Sequence, residues 1–141
     1  MCSWMRDTTS VMDICKLLVN SGSDIKTMNL YSDTPLCKDA LLNFNELAQF
    51  LLELGCETEV KAGYCTALHY AAKHKNWKVT EMLQNGTDAN VKTTTGGDRG
   101  TPLHLAIISN SVRAVQLLLQ YGADANSKRG DGHTPLHLAA I

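Results

Sequence analysis

No stretch of this sequence approaches the roughly 20 consecutive apolar residues that a bilayer-spanning helix requires. The opening residues, Met1-Cys2-Ser3-Trp4-Met5-Arg6-Asp7, lack a basic segment followed by an apolar one, so no export signal is read there. Neither charge sign is in excess: 13 Lys and Arg against 14 Asp and Glu leave a net charge of −1. Nucleic acids are held by a surplus of cations that displaces their counterions, so DNA or RNA binding is not expected. The five cysteines, Cys2, Cys15, Cys37, Cys56 and Cys65, are odd in number and contain no C-x-x-C pair. That pattern argues against a disulfide scaffold, and the thiols are expected to be reduced, in cytoplasm or nucleus. Catalytic signatures are missing too: there is no G-x-S-x-G and no phosphate-loop lysine. What the chain does have is apolar material, 44% of its 141 residues, enough for the core of one domain.

The apolar residues are organised by repetition. Thr101-Pro102-Leu103-His104-Leu105-Ala106 recurs as Thr134-Pro135-Leu136-His137-Leu138-Ala139. Looser copies are Thr66-Ala67-Leu68-His69-Tyr70-Ala71-Ala72 and Thr34-Pro35-Leu36-Cys37-Lys38-Asp39-Ala40. Successive threonines are 32, 35 and 33 residues apart. A second landmark keeps the same period: Gly22-Ser23-Asp24, Gly55-Cys56-Glu57, Gly86-Thr87-Asp88-Ala89-Asn90 and Gly122-Ala123-Asp124-Ala125-Asn126. A self-similar period of this length marks a stack of small units, none of which can bury its apolar face alone.

These residues resemble the ankyrin repeat family over essentially the whole chain. The resemblance implies an all-α fold: an ankyrin-repeat solenoid of stacked helix-turn-helix units with finger loops. The register gives units 1–33, 34–65, 66–100 and 101–133, with a fifth beginning at 134–141. Within a unit, Thr101 can cap a first helix and Pro102 occupies the first turn, where its missing N–H is harmless. Ser111 starts a second helix burying Ala114, Val115, Leu117, Leu118 and Leu119, and Gly122 sits where a left-handed cap ends it. Unit three has one residue fewer before Gly86, so its second helix, from Trp77, is expected to be short or irregularly ended. Its finger, Val91 to Gly100, is longer than the one after Gly122. Arg6 and Asp7 replace small alanines in unit one. Thr134 to Ile141 is a first helix without its partner, and the natural protein is expected to continue beyond it.

Candidate chemistry falls back on the repeat. His133 and His137 have helical ligand spacing, as do Cys65 and His69, but His69, His104 and His137 each stand three residues after a capping threonine. In the family such a histidine is structural, bonding the neighbouring turn and unit. No metal site, cofactor or catalytic residue is therefore expected, and His74 and His133 read as surface residues. Gly96-Gly97-x-x-Gly100-Thr101 has the look of an anion-cradling loop, but no buried strand precedes it, and a glycine-rich finger explains it.

The function implied is a non-catalytic protein–protein interaction module, a scaffold or adaptor that is monomeric and takes another protein as its partner. Membrane insertion forms no part of that reading. The rival is a structural or regulatory segment of a larger enzyme, channel or ubiquitin-ligase adaptor. In the family, partners meet the concave face made by finger tips and first helices. Offsets from the threonines place Thr8 and Thr9 there from unit one, and Tyr31, Asp33, Leu41 and Leu42 from unit two. Tyr64, Cys65, Lys73 and His74 follow from unit three, then Asp98, Arg99, Ile108 and Ser109, and finally His133. Family members are also hydroxylated at the Asn of the Gly-Ala-Asp-x-Asn turn, where Asn126 matches well and Asn90 less well.

Overall fold

The computed structural model describes residues 8–30, 32–61, 65–83, 86–94 and 99–141. Among them eight helices follow one another: α1 (Thr8–Asn20), α2 (Pro35–Leu42), α3 (Asn45–Glu53), α4 (Ala67–Lys73), α5 (Trp77–Leu83), α6 (Pro102–Ile108), α7 (Val112–Gln120) and α8 (Pro135–Ala139). Helices α2, α4, α6 and α8 form one layer and α1, α3, α5 and α7 the other. Helices α2, α4 and α6 pack on their partners α3, α5 and α7, and within each layer every helix packs on its counterpart in the next unit. The core runs unbroken along the stack through Leu36, Ala40, Leu51, Leu68, Ala71, Val79, Leu103, Ala106 and Leu118. Ala71 and Ala106 are wholly buried, which lets successive first helices approach closely.

Each first helix opens on the threonine predicted for it. Thr34, Thr66, Thr101 and Thr134 all take extended backbone at the N-cap, and Pro35, Pro102 and Pro135 follow where no amide partner is lost. Second helices end on glycine: Gly22, Gly55 and Gly122 have φ of +94°, +79° and +92°, a region that a Cβ disfavours. The described part of α5 covers Trp77–Leu83, and the expected early end of this helix, at 84–85, lies outside the described residues. Its glycine, Gly86, is absent from the left-handed set.

Two sequence expectations change. Unit one shows a continuous thirteen-residue helix where a first helix, a turn and a second helix were expected. The interhelical turns elsewhere need a left-handed residue, supplied by Asn43, Lys75 and Asn110 with φ of 67°, 59° and 56°. Unit one has Ser10 there, and the helix runs through it. Thr9 thus lies in α1, in the layer of second helices, not at the end of a separate first helix. The other change is Leu119, which stays 43% exposed while Ala114, Leu117 and Leu118 are buried.

The histidines explain how units join. The Thr66 N–H donates to His69 Nδ1 at 3.2 Å, and the threonine hydroxyl lies 2.9 Å from the same nitrogen. An amide can only donate, so Nδ1 carries no proton and the ring's hydrogen is on Nε2. Nε2 then donates to the Gly100 carbonyl of the following finger at 3.2 Å. His104 and His137 repeat the inner contacts with Thr101 and Thr134. In unit two Cys37 holds the histidine position, and its amide donates to Thr34 Oγ1 at 3.2 Å.

Burial lowers the His69 pKa to about 4. Between that value and the unfolded value near 6.5, the unfolded chain binds the proton more tightly, so stability is full above pH 6.5 and lost as pH falls toward 4. The loss amounts to roughly 3 kcal/mol at 1.36 kcal/mol per unit. His69→Gln preserves a capping side chain that cannot protonate. Denaturant titrations of this variant are expected to show a flatter pH dependence between 6.5 and 4 than the parent.

Asp39 behaves oppositely. It occupies the slot of Ala71 and Ala106, is 4% exposed, and its carboxyl is pushed up to about 7 by burial. Its folded pKa exceeds the unfolded one, so its favourable contribution is present below about pH 4 and lost as pH rises through 7. Asp39→Ala matches the alanines of the neighbouring units. It is expected to stabilise the fold by roughly 2–4 kcal/mol at pH 8 and by less at pH 5, read as urea midpoints at both values.

Candidate functional site

The face expected to bind a partner is built from two kinds of element. The fingers are short turns closed by backbone pairs: Asn29 N–H donates to the Asp33 carbonyl at 3.1 Å, and Arg129 N–H to the His133 carbonyl at 3.0 Å. Two residues before Thr34, Thr101 and Thr134 the backbone turns left-handed, at Ser32 (φ 61°), Arg99 (φ 30°) and Gly132 (φ 85°). The longer finger of unit three is pinned at its base by Thr93 N–H to the Gly100 carbonyl, and Lys92 Nζ crosses to the Lys128 carbonyl at 3.1 Å. Each finger runs directly into the N-terminal cap of a first helix, at Thr34, Thr101 and Thr134.

The expected residues are placed unequally by these elements. Leu42 and Ile108 end α2 and α6 with 51% and 58% of their surface exposed, and Leu41 beside them is half-buried. Lys73 and His74 hold the corresponding end of α4 and are exposed. Burial, with Lys73 adding to it, lowers the His74 pKa, so this imidazole is neutral at physiological pH. Ser109 donates its hydroxyl to the Ala72 carbonyl at 3.0 Å and so ties α6 to α4. Cys65 is half-buried, and burial pushes its thiol up.

Asp33 serves its own finger: its N–H donates to Asn29 Oδ1 at 3.0 Å and its carboxylate lies 3.9 Å from Lys38 Nζ. His133 is exposed, with Nδ1 3.1 Å from Asp131 Oδ1 and its ring edge-on to His137 at 5.8 Å. Arg99 is exposed on the long finger. Tyr31, Tyr64 and Asp98 lie outside the described residues, as do Gly96 and Gly97 of the glycine-rich loop.

Among the described residues no three His, Cys, Asp or Glu side chains converge as metal ligands, and no helix is long and apolar enough to cross a membrane. An open groove lined by Leu52, Cys56, Glu57, Glu59, Met82 and Gly86 lies beside α5.

Sequence reasoning missed the residues that latch one unit to the next. Asn90 donates from Nδ2 to the Gly122 carbonyl at 3.0 Å, and its Oδ1 accepts from the Asp124 N–H at 2.7 Å. One boundary earlier two residues divide that work: Thr58 Oγ1 donates to the Gly86 carbonyl at 3.3 Å, and Glu59 accepts from the Asp88 N–H at 2.8 Å. The recurrence of Asn at 90 and 126 was the available signal, though it does not show which atoms meet.

A family model for ankyrin repeats (3 copies) matches residues 7–93 and 75–141. Human ankyrin repeat and SOCS box protein 16 is 35% identical over 121 residues, covering 84% of this chain and 26% of its own. Alpha-latrocrustotoxin-Lt1a of Latrodectus tredecimguttatus is 37% identical over 94% of this chain and 9% of its own length. Ankyrin repeat protein FPV223 of fowlpox virus (strain NVSL) is 33% identical over 91% of this chain and 89% of its own. The chain therefore spans about a quarter of the human relative and under a tenth of the toxin.

Asn126 and Asn90 are now distinguishable as hydroxylation targets. Both side-chain atoms of Asn90 are engaged by unit four, whereas Asn126 is exposed and its N–H turns back to Asp124 Oδ1 at 2.8 Å. Tandem mass spectrometry after incubation with an asparaginyl hydroxylase is expected to place one added oxygen on Asn126 and none on Asn90.

Proposed function

The chain belongs to the ankyrin repeat family, and from that premise we propose that it is a non-catalytic scaffold or adaptor domain. It captures a segment of another protein along the face formed by its fingers and first helices. Ankyrin repeats are protein-interaction modules, and their domains are generally non-catalytic. The observation that carries the reading to this face is the exposure of Leu42 and Ile108 at the ends of two first helices in one layer. Leu42 stands eight residues after Thr34 and Ile108 seven after Thr101, in neighbouring slots, and with Lys73 and His74 in the unit between them they supply an apolar centre with a polar rim.

The chain's coverage of only 26% of the human relative supports a second reading, in which the domain serves as one segment of a larger protein. Under that reading the concave face still binds, while the activity resides elsewhere. An odd number of cysteines with no C-x-x-C pair favours a reducing setting, cytoplasmic or nuclear.

The test begins with capture of a partner from lysate on the immobilised domain, followed by affinity measurements with variants. Tyr31→Ala, Tyr64→Ala and the pair Leu42→Ala with Ile108→Ala are each expected to weaken binding by about 1–2 kcal/mol, with unchanged helicity. Glu53→Ala and Gln116→Ala, on the second-helix layer, are expected to bind as the parent does. Loss of binding in the second set with retention in the first assigns the interface to the opposite side.

A further inference from the structure

Charge is distributed unevenly between the two halves of the stack. Helices α1 and α3 carry Asp13, Glu46 and Glu53, whereas α4 to α7 contain a single carboxylate, Glu81 of α5. The contrast is sharpest twelve residues after each unit's first landmark, at the start of the second helix. That slot holds Asp13 in unit one and Glu46 in unit two, then Lys78 in unit three and Arg113 in unit four. Second helices pack in the order α1, α3, α5, α7, so these residues form one ridge whose sign reverses at its middle.

The positive half encloses an aromatic. Trp77 is 40% exposed, with Lys78 Nζ and the Arg113 guanidinium each 5.8 Å from its ring centroid. Lys75 extends the patch from the turn between α4 and α5, while Lys73, the last residue of α4, stands beside His74 in the strip that holds Leu42 and Ile108. All four cations are exposed, and among the described residues none of them makes an ion pair.

Three of these cations stand where the fold disfavours them. Lys75 adopts φ 59° at a position where units two and four use asparagine, the residue better suited to left-handed backbone. Lys78 and Arg113 lie in the first turns of α5 and α7, next to the positive end of each helix dipole, where unit two carries Glu46. Folding therefore does not account for this charge.

We propose that the ridge formed by Lys75, Trp77, Lys78 and Arg113 is a docking surface for a short acidic segment of a partner protein. Carboxylates pair with the cations while an apolar side chain covers the exposed ring. A nucleic acid or an anionic membrane fits less well: the same ridge turns negative at Glu46 and Asp13, which repels a polyanion that continues along it. A short segment ends where the sign changes. This surface lies outside the strip around Leu42 and Ile108 and stands independently of the function assigned to that strip.

The probe is a capped hexapeptide alternating glutamate and leucine, titrated into the full chain carrying Trp4→Phe, so that Trp77 is the remaining tryptophan. Saturable change in Trp77 emission is expected, reduced about tenfold or more in affinity by raising salt from ~50 to ~300 mM. Lys75→Gly relieves the backbone, and Lys78→Glu and Arg113→Glu complement their helix dipoles. Each is expected to raise the melting temperature while weakening the peptide by at least threefold, a pairing that a purely structural role would not produce. Equal affinity for the peptide with lysine in place of glutamate overturns the proposal. So does undiminished binding by the triple variant, or uptake by phosphatidylserine vesicles that the peptide does not compete away. Loss on Leu42→Ala with Ile108→Ala, but not on Lys78→Glu, returns the acidic segment to the concave face and also overturns it.

Discussion

A neutral imidazole holds the start of a first helix and the end of the next finger in one geometry. His69 accepts through Nδ1 from its own threonine and donates through Nε2 to Gly100, 31 residues on. The inner bond fails if the ring takes a second proton, because Nδ1 would then face an amide hydrogen with a hydrogen of its own, while Nε2 still donates to Gly100. The ring must therefore be buried enough to stay neutral, and the stacked layers provide that burial. One ring thus serves local capping through Nδ1 and the join between units through Nε2.

The repeat made the architecture readable before any coordinates. Threonine, proline and glycine mark their positions through backbone properties that do not depend on distant neighbours, so helix starts and left-handed ends fell where the spacing put them. The helix of unit one was not legible, because no landmark in the sequence marks that the chain stays helical through Ser10. Burial of Asp39 was equally opaque: a carboxylate in a helix reads as surface until Ala71 and Ala106 are seen to occupy its slot in the core.

The candidate face was legible in part. Leu42 and Ile108 could be placed because the ends of first helices follow from the register. Asp33 has the right position, yet its N–H and carboxylate serve the finger, a use set by Asn29 four residues earlier. The basic ridge escaped notice because its members lie 35 residues apart in sequence, at Lys78 and Arg113, and a net charge near zero averages them against Asp13 and Glu46. Equal slots in successive units tolerate alanine or aspartate, histidine or cysteine, glutamate or arginine. One backbone thus carries different chemistries.

The latches between units two and three and between units three and four have a common form. Thr58, Glu59 and Asn90 each reach from a side chain to main-chain atoms of the following turn, at Gly86, Asp88, Gly122 and Asp124. The boundary between units one and two differs, with a side-chain pair from Lys26 to Glu57 at 2.8 Å. A latch that grips main-chain atoms is indifferent to the side chains of whatever it grips. Any unit that brings the same turn can follow, so such a chain can lengthen by duplication, or exchange one module for another, without redesigning the joint.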